Sequence, residues 1–219
     1  LNTYDIDFQH DIRVSPTQEW IWGVGYRSMH DRAEAGTYVT LNPGQRTWSL
    51  FSTFAQTEIA LFHQRAHVTL GSKFEHNDFT GFEMEPNSRL LWHIDAKQSV
   101  WGAISRAVRT PARTEQDMRL DAGLLPPSPA SGGLAVPLTV EGDRNFKSEN
   151  VTAYEGGYRV RLRRTLSVDL ATFYNSYTNL LSAEPATPFV NSSTVPMHIT
   201  APLVAANKMR GVTYGSELL

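Results

Sequence analysis

Residues 146–181 read FKSENVTAYEGGYRVRLRRTLSVDLATFYNSYTNLL, and this stretch decides the fold. In its first arm Thr152, Tyr154, Gly156, Tyr158, Val160 and Leu162 share one face, while Glu149, Glu155, Gly157, Arg159 and Arg161 share the other. In its second arm Val168, Leu170, Thr172 and Tyr174 oppose Asp169, Asn175, Tyr177 and Asn179. Alternation at period two marks a strand whose faces meet different media, and Arg163, Arg164 and Thr165 leave room only for a tight antiparallel return. Strands of globular domains run to about five or six residues, whereas a strand crossing hydrocarbon needs about 9 to 11 and often continues beyond it. Both arms of this hairpin are of the second kind.

The pattern repeats outward in both directions. Upstream, strands are expected over 2–14, 19–28, 48–61, 67–77, 82–94 and 99–109, and downstream over 207–219, about nine in all with the two arms of the hairpin. Tyr4, Ile6, Phe8 and Ile12 alternate with Asp5, Asp7, Gln9, Asp11 and Arg13, and Val68, Leu70 and Phe74 alternate with Thr69, Lys73 and Glu75. Pro86 is the one offence against a central strand. The segment 99–109 allows two registers. An Arg at the lipid midplane costs about 2–4 kcal/mol, so Trp101, Ala103, Ser105 and Ala107 are assigned to the apolar face and Arg106 is sent inward.

The connections run short, long, short, moderate, short, long, short, long, with long loops expected over 110–145 and 182–206. Tight turns therefore fall on one side and long loops on the other, the asymmetry of outer-membrane barrels. Greek-key crossovers of a soluble sandwich would mix them. The fold class is all-β, an antiparallel up-and-down transmembrane β-barrel. With no initiator Met, and with strand-like patterns at both ends, the chain reads as part of a larger barrel.

Composition agrees. The 219 residues carry a net charge of -2, contain no cysteine and have a mean hydropathy of -0.33. No basic excess exists to neutralise phosphates, which argues against nucleic acid. Disulfides and thiolate metal sites are excluded. A low mean hydropathy is compatible with membrane strands, which are apolar only at every second residue.

The strings GSKFEHNDFTGFEMEPNSRLLW, WGAISRAVRTPAR, SENVTAYEGGYR and DLATFYNSYTNLL resemble the barrel of a TonB-dependent outer-membrane receptor, and the resemblance covers nearly the whole chain. It implies a 22-stranded barrel occluded by a plug, with residues 1–219 supplying part of the barrel and the plug absent. It also implies a monomer embedded in outer-membrane lipid and lipopolysaccharide that captures a scarce nutrient, most often a ferric siderophore, at extracellular loops and imports it through the TonB complex. Such a receptor performs no covalent chemistry and needs no cofactor, and no GxSxG, HExxH or phosphate-binding glycine loop is present. A passive porin shares the strand pattern, and a soluble carbohydrate-binding sandwich is the reading from another class.

Candidate ligand-binding residues are Arg106, Arg109 and Arg113, clustered at the expected extracellular end of the sixth strand, where guanidinium groups would attract an anionic chelate. The competing reading is that each pairs with a neighbouring carboxylate, such as Glu155 or Asp169, to keep a wet interior neutral, and for any single arginine it carries more weight. His63 and His67 flank a tight turn with no third ligand nearby in sequence, which argues against zinc. Asn150-Val151-Thr152 and Asn191-Ser192-Ser193 match the glycosylation pattern, which carries little information in a bacterial barrel. Trp20, Trp22, Tyr26, Trp92, Trp101, Tyr154 and Tyr174 are the expected interfacial girdle.

Overall fold

A computed structural model describes residues 1–192 and 197–219. The elements are β1 (Asn2–Ser15), β2 (Gln18–Arg32), β3 (Val39–Leu41), β4 (Gln45–Leu61), β5 (Ala66–Asn77), β6 (Gly81–His93), β7 (Gln98–Arg109), α1 (Arg113–Asp117), β8 (Met118–Leu125), a 3₁₀ turn at Pro129–Ser131, β9 (Val136–Glu141), β10 (Glu149–Arg163), β11 (Leu166–Pro185), β12 (Phe189–Asn191) and β13 (His198–Leu218). One sheet takes the order β1-β2-β4-β5-β6-β7-β10-β11-β13-β9-β8-β3, with β12 paired to β13. The long strands β1, β2, β4, β5, β6, β7, β10, β11 and β13 span 12 to 21 residues and form an antiparallel meander.

Register carries one face across the whole wall. Ile104 pairs with Tyr154, Tyr154 with Tyr174, and Tyr174 with Tyr214. The outer face is apolar and uncovered, with Ile6, Phe8, Leu70, Leu90 and Val212 among its exposed residues, while Ala66, Phe146 and Ala205 are buried. A sandwich would cover that face with a second sheet. A face this apolar and bare is suited to lipid, and antiparallel pairing satisfies the backbone there without water.

The opposite face is polar and internally paired. Lys73 Nζ lies 2.8 Å from Glu75, Arg159 Nε donates to Asp169 at 2.7 Å, and Arg27 pairs with Asp5. Large aromatic rings on this face lie against glycine on the adjacent strand: Phe54 pairs with Gly23, Trp101 with Gly157 and Phe173 with Gly215. A Cβ at Gly157 would sit 2.4 Å from Trp101 Nε1 and 2.8 Å from the Leu170 carbonyl, so only glycine leaves the indole its place.

This pairing corrects the expected register of β7. Val100, Gly102, Ile104 and Arg106 follow the outer face, and Trp101, Ala103 and Ser105 face the lumen, where Arg89 stacks 5.0 Å above the Trp101 ring. By parity Arg106 follows the outer face, against the expected inward placement, because it lies at the loop-side end of β7 and not at midplane depth. Arg106 lies near the loop-side end of β7, above the last β6–β7 pair, Asn87 with Ser105. There the two strands part, starting at Pro86, which has no N–H to offer a ladder. The Arg106 guanidinium reaches into the seam, donating to the Met84 carbonyl and to Asn150 Oδ1, while Glu85 accepts the Val108 N–H at 3.4 Å. Trp101 accordingly leaves the expected girdle.

The expected loops also differ. Segment 110–145 contains α1, β8 and β9, and segment 182–206 is occupied at its ends by β11 and β13, with β13 pairing β9 in parallel at Ala201 with Leu138. Residue 193 of the second glycosylation pattern lies outside the described residues.

The glycine and aromatic pairing is testable by equilibrium urea unfolding of the full-length protein in lipid vesicles. Gly157→Val is expected to lose about 1–3 kcal/mol despite the high strand propensity of valine. Gly102→Ala, whose Cβ would meet nothing closer than 3.8 Å, should stay within about 0.5 kcal/mol. Equal unfolding midpoints for the two variants would refute the steric account.

Candidate functional site on the loop side

Tight connections at 16–17, 62–65, 94–97 and 164–165 gather at one end of the wall; the other end carries the long connections and also the three-residue turn 78–80, which the sequence marks only as a moderate connection. At the tight end the Lys97 N–H, with the Gln98 amide, holds the Asp95 carboxyl below its usual range. At the long end the connections fold into a layer of their own, and local sequence dictates how.

Asn77 Oδ1 accepts the N–H groups of Phe79 and Thr80, both at 2.9 Å, closing the turn into β6. This fixes Phe79 edge-on to Trp48, with the ring centroids 5.7 Å apart, and beneath the Arg46 guanidinium at 4.6 Å. Arg46 Nη1 in turn donates to Asp117 Oδ2 at 2.8 Å. Asp117 is fully buried at the end of α1, and three arginines converge on it: Arg46, Arg113 through Nε at 3.2 Å, and Arg144 with Nε 3.5 Å from Oδ1. Arg113 also donates to Asp31 and to the Pro43 carbonyl, and the Asn42 N–H donates to the Asp117 carbonyl at 2.9 Å. The Asp117 carboxylate thus ties α1 to β4, while Arg113 and the Asp117 carbonyl tie the same turn to β2 and to the connection 33–44. Gly142 lies against this turn, where a Cβ would come 2.6 Å from the Gln116 carbonyl carbon.

The three sequence-predicted arginines occupy the loop side, and the structure gives each an acidic partner. Arg113 is buried within the Asp117 cluster. Arg109 is half exposed and forms a two-pronged bond with Glu115 at 2.6 and 3.1 Å, while its Nε donates to Glu149 at 2.7 Å. At the rim of the wall Glu149 accepts both from the Arg109 guanidinium and from the Leu181 N–H at 2.7 Å. Arg106 spans the seam with Glu83 at 3.7 Å. Their partners are Glu83, Glu115, Glu149, Asp31 and Asp117, whereas Asp169 belongs to Arg159.

Two cavities open on this side. One of about 700 Å³ is lined by Asn42, Asp117, Arg119, Glu141, Asp143 and Arg144. The other, about 420 Å³, includes Glu83, Arg106, Arg144, Lys147, Ser148 and Asn150 in its lining. Arg144 stands between them and keeps 68% of its side chain exposed. Sequence reading missed Arg144 and Lys147, since an isolated cation in a polar loop has no periodic signal. Among the described residues no cluster of three or more His, Asp or Glu could hold a metal ion. His67 instead contacts Glu58 at 3.0 Å and the Gln64 carbonyl at 3.2 Å.

Fold and loop layer together define the wall of a membrane β-barrel with a structured layer on one side. The family model for the TonB-dependent receptor-like β-barrel matches residues 1–218, and the chain belongs to that family. The siderophore receptor PirA from Acinetobacter baumannii superposes with a TM-score of 0.78 at 14% identity, over 99% of this chain and 34% of that one. A mutant of the ferric enterobactin receptor PfeA from Pseudomonas aeruginosa, in complex with enterobactin, gives 0.75 at 18% identity over 99% and 33%. The FrpB iron transporter from Neisseria meningitidis gives 0.65 at 14% over 99% and 32%. At these identities the likeness shows the fold, and the chain spans about a third of the length of these structures. None of the curated proteins matches the chain.

The Asp117 cluster yields a local prediction. Asp117→Ala leaves buried Arg113 without its carboxylate and is expected to cost about 3–5 kcal/mol in the loop layer. The exposed pair at Arg109 is expected to contribute about 1 kcal/mol or less, so Arg109→Ala should leave the layer folded. Amide exchange of residues 110–148 in the full-length protein checks both. Unchanged protection in Asp117→Ala would show that the cluster does not hold the layer.

Proposed function

We propose that this chain forms part of an outer-membrane receptor that binds a ferric siderophore on its loop side and imports it with energy delivered by TonB. The observation that carries the reading is the family match over residues 1–218, joined to superposition of 99% of the chain on siderophore receptors. The apolar outer face would meet lipid and lipopolysaccharide, and the complete barrel would act as a monomer, coupled to TonB through its plug. Function would consist of binding and gated passage, with no covalent step.

Of the candidate arginines, Arg109 is the one with the most exposed guanidinium, and Arg144 adds a second exposed cation between the two cavities. Both could draw an anionic chelate toward the loops. Arg113 and Arg106 would contribute indirectly, by fixing the layer and the seam that shape those cavities.

Uptake of radiolabelled iron by cells expressing the full reading frame, from a panel of siderophores and with or without TonB, tests this reading. TonB-dependent uptake of one chelate is the expected result. TonB-dependent growth on cobalamin, haem or a glycan, with no iron uptake, would keep the family and change the substrate. TonB-independent leakage of small solutes would indicate a passive porin. Arg109→Ala and Arg144→Ala are each expected to weaken capture of an anionic chelate about fivefold, with the loss shrinking at high salt. Salt-independent binding would remove both from the capture step.

A further inference from the structure

The arginines of the wall differ in whether a carboxylate lies beside them. On the loop side Arg46, Arg106, Arg109, Arg113 and Arg144 each have a carboxylate partner. At the turn end Arg161, Arg163 and Arg164 fall within four residues of one another, all exposed, and none has an ion pair or side-chain hydrogen bond among the described residues. The Arg161 N–H donates to the Lys97 carbonyl at 2.8 Å, which brings the 94–97 turn and exposed Lys97 against the same corner. The nearby carboxylates are already engaged. Asp95 accepts the Lys97 N–H at 2.7 Å and the Gln98 amide at 2.9 Å, and Asp169 binds Arg159. Beside the cations Leu162 and Leu166 are 56% and 49% exposed. Exposed leucines next to unpaired arginines at the edge of an apolar belt match the layered chemistry of a membrane interface, acyl chain beside phosphate.

We propose that the β10–β11 turn, with Lys97 beside it, is a docking surface for anionic phospholipid headgroups of the leaflet that faces the turns. Arg163 and Arg164 engage the phosphates as forked donors, Arg161 and Lys97 add to the local potential, and Leu162 and Leu166 meet the acyl chains. The surface holds the wall at a fixed depth in the bilayer. The proposal rests on the membrane reading of the outer face. Each cation close to an anionic surface contributes a free energy equivalent to about a fivefold gain in lipid affinity, so the two turn arginines together account for about thirtyfold.

The experiment uses the full-length receptor and its Arg163→Gln/Arg164→Gln variant in nanodiscs of phosphatidylcholine alone or with phosphatidylglycerol, reading bound lipid by native mass spectrometry and thermal unfolding alongside. The wild type is expected to retain phosphatidylglycerol over phosphatidylcholine and to unfold at a higher temperature when it is present. The variant should lose most of that retention, by about thirtyfold, while unfolding unchanged in phosphatidylcholine. Equal retention by the two proteins would overturn the proposal. So would equal stabilisation of the wild type by inorganic phosphate in phosphatidylcholine discs, which would indicate a soluble anion site. Failure of the wild type to enter either disc would overturn the membrane reading, whereas entry without lipid preference overturns the docking surface alone.

Discussion

At the depth of hydrocarbon every backbone N–H and C=O must find its partner within the protein, and the rest of this structure depends on that constraint. It explains why the long strands pair only with strands, and why the pairing is continuous from β1 to β13. It also bears on the break in the β6–β7 ladder. Pro86 cannot donate, the β6–β7 pairing stops beside it, and the freed Met84 carbonyl and Val108 N–H are taken up by Arg106 and Glu85. Two charged side chains, each acting separately, there substitute for missing ladder bonds.

The lumen obeys a different rule. Its charges are largely cancelled locally, as in Arg159 with Asp169, and its bulky rings are admitted only where the neighbouring strand offers glycine. Each aromatic covers backbone that a glycine would otherwise leave open, so the pairing stabilises register as well as filling space. This is why a single substitution such as Gly157→Val is felt on two strands at once.

The wall was legible in the sequence because a membrane strand writes its two environments into alternate residues over ten or more positions. The hairpin of β10 and β11 shows this directly, and most faces followed from parity alone. β7 was misread because its alternate residues are nearly equal in polarity, with Ala and Ser on one side and Gly, Val and Ile on the other. What decided it was Gly157 on the neighbouring strand, a cross-strand fact with no signature in local periodicity. The loop layer was misread for a related reason. Val136, Leu138 and Val140 do alternate with Pro137, Thr139 and Glu141, but the run is short and follows a Pro- and Gly-rich stretch that masks it. The Asp117 cluster unites residues 31, 46, 113, 117 and 144, contacts that no linear pattern encodes.

Arginine has different meanings along this chain, and its surroundings decide which applies. Within the Asp117 cluster, desolvation makes an unpaired guanidinium too costly, so Arg113 is fully bonded and its role is to hold. At the rim, Arg109 is half in water and shares its guanidinium between Glu115 and Glu149. In the turn, Arg163 and Arg164 have no carboxylate to yield, so any anion that approaches meets their full charge. Under the proposed ligand capture and the proposed lipid contact, the same residue type changes from fastener to lure to anchor as burial decreases and as acidic neighbours are withdrawn. Counting arginines near one end of a strand, as the sequence invites, could not separate these roles, because the deciding variable is the distance from each guanidinium to its nearest carboxylate.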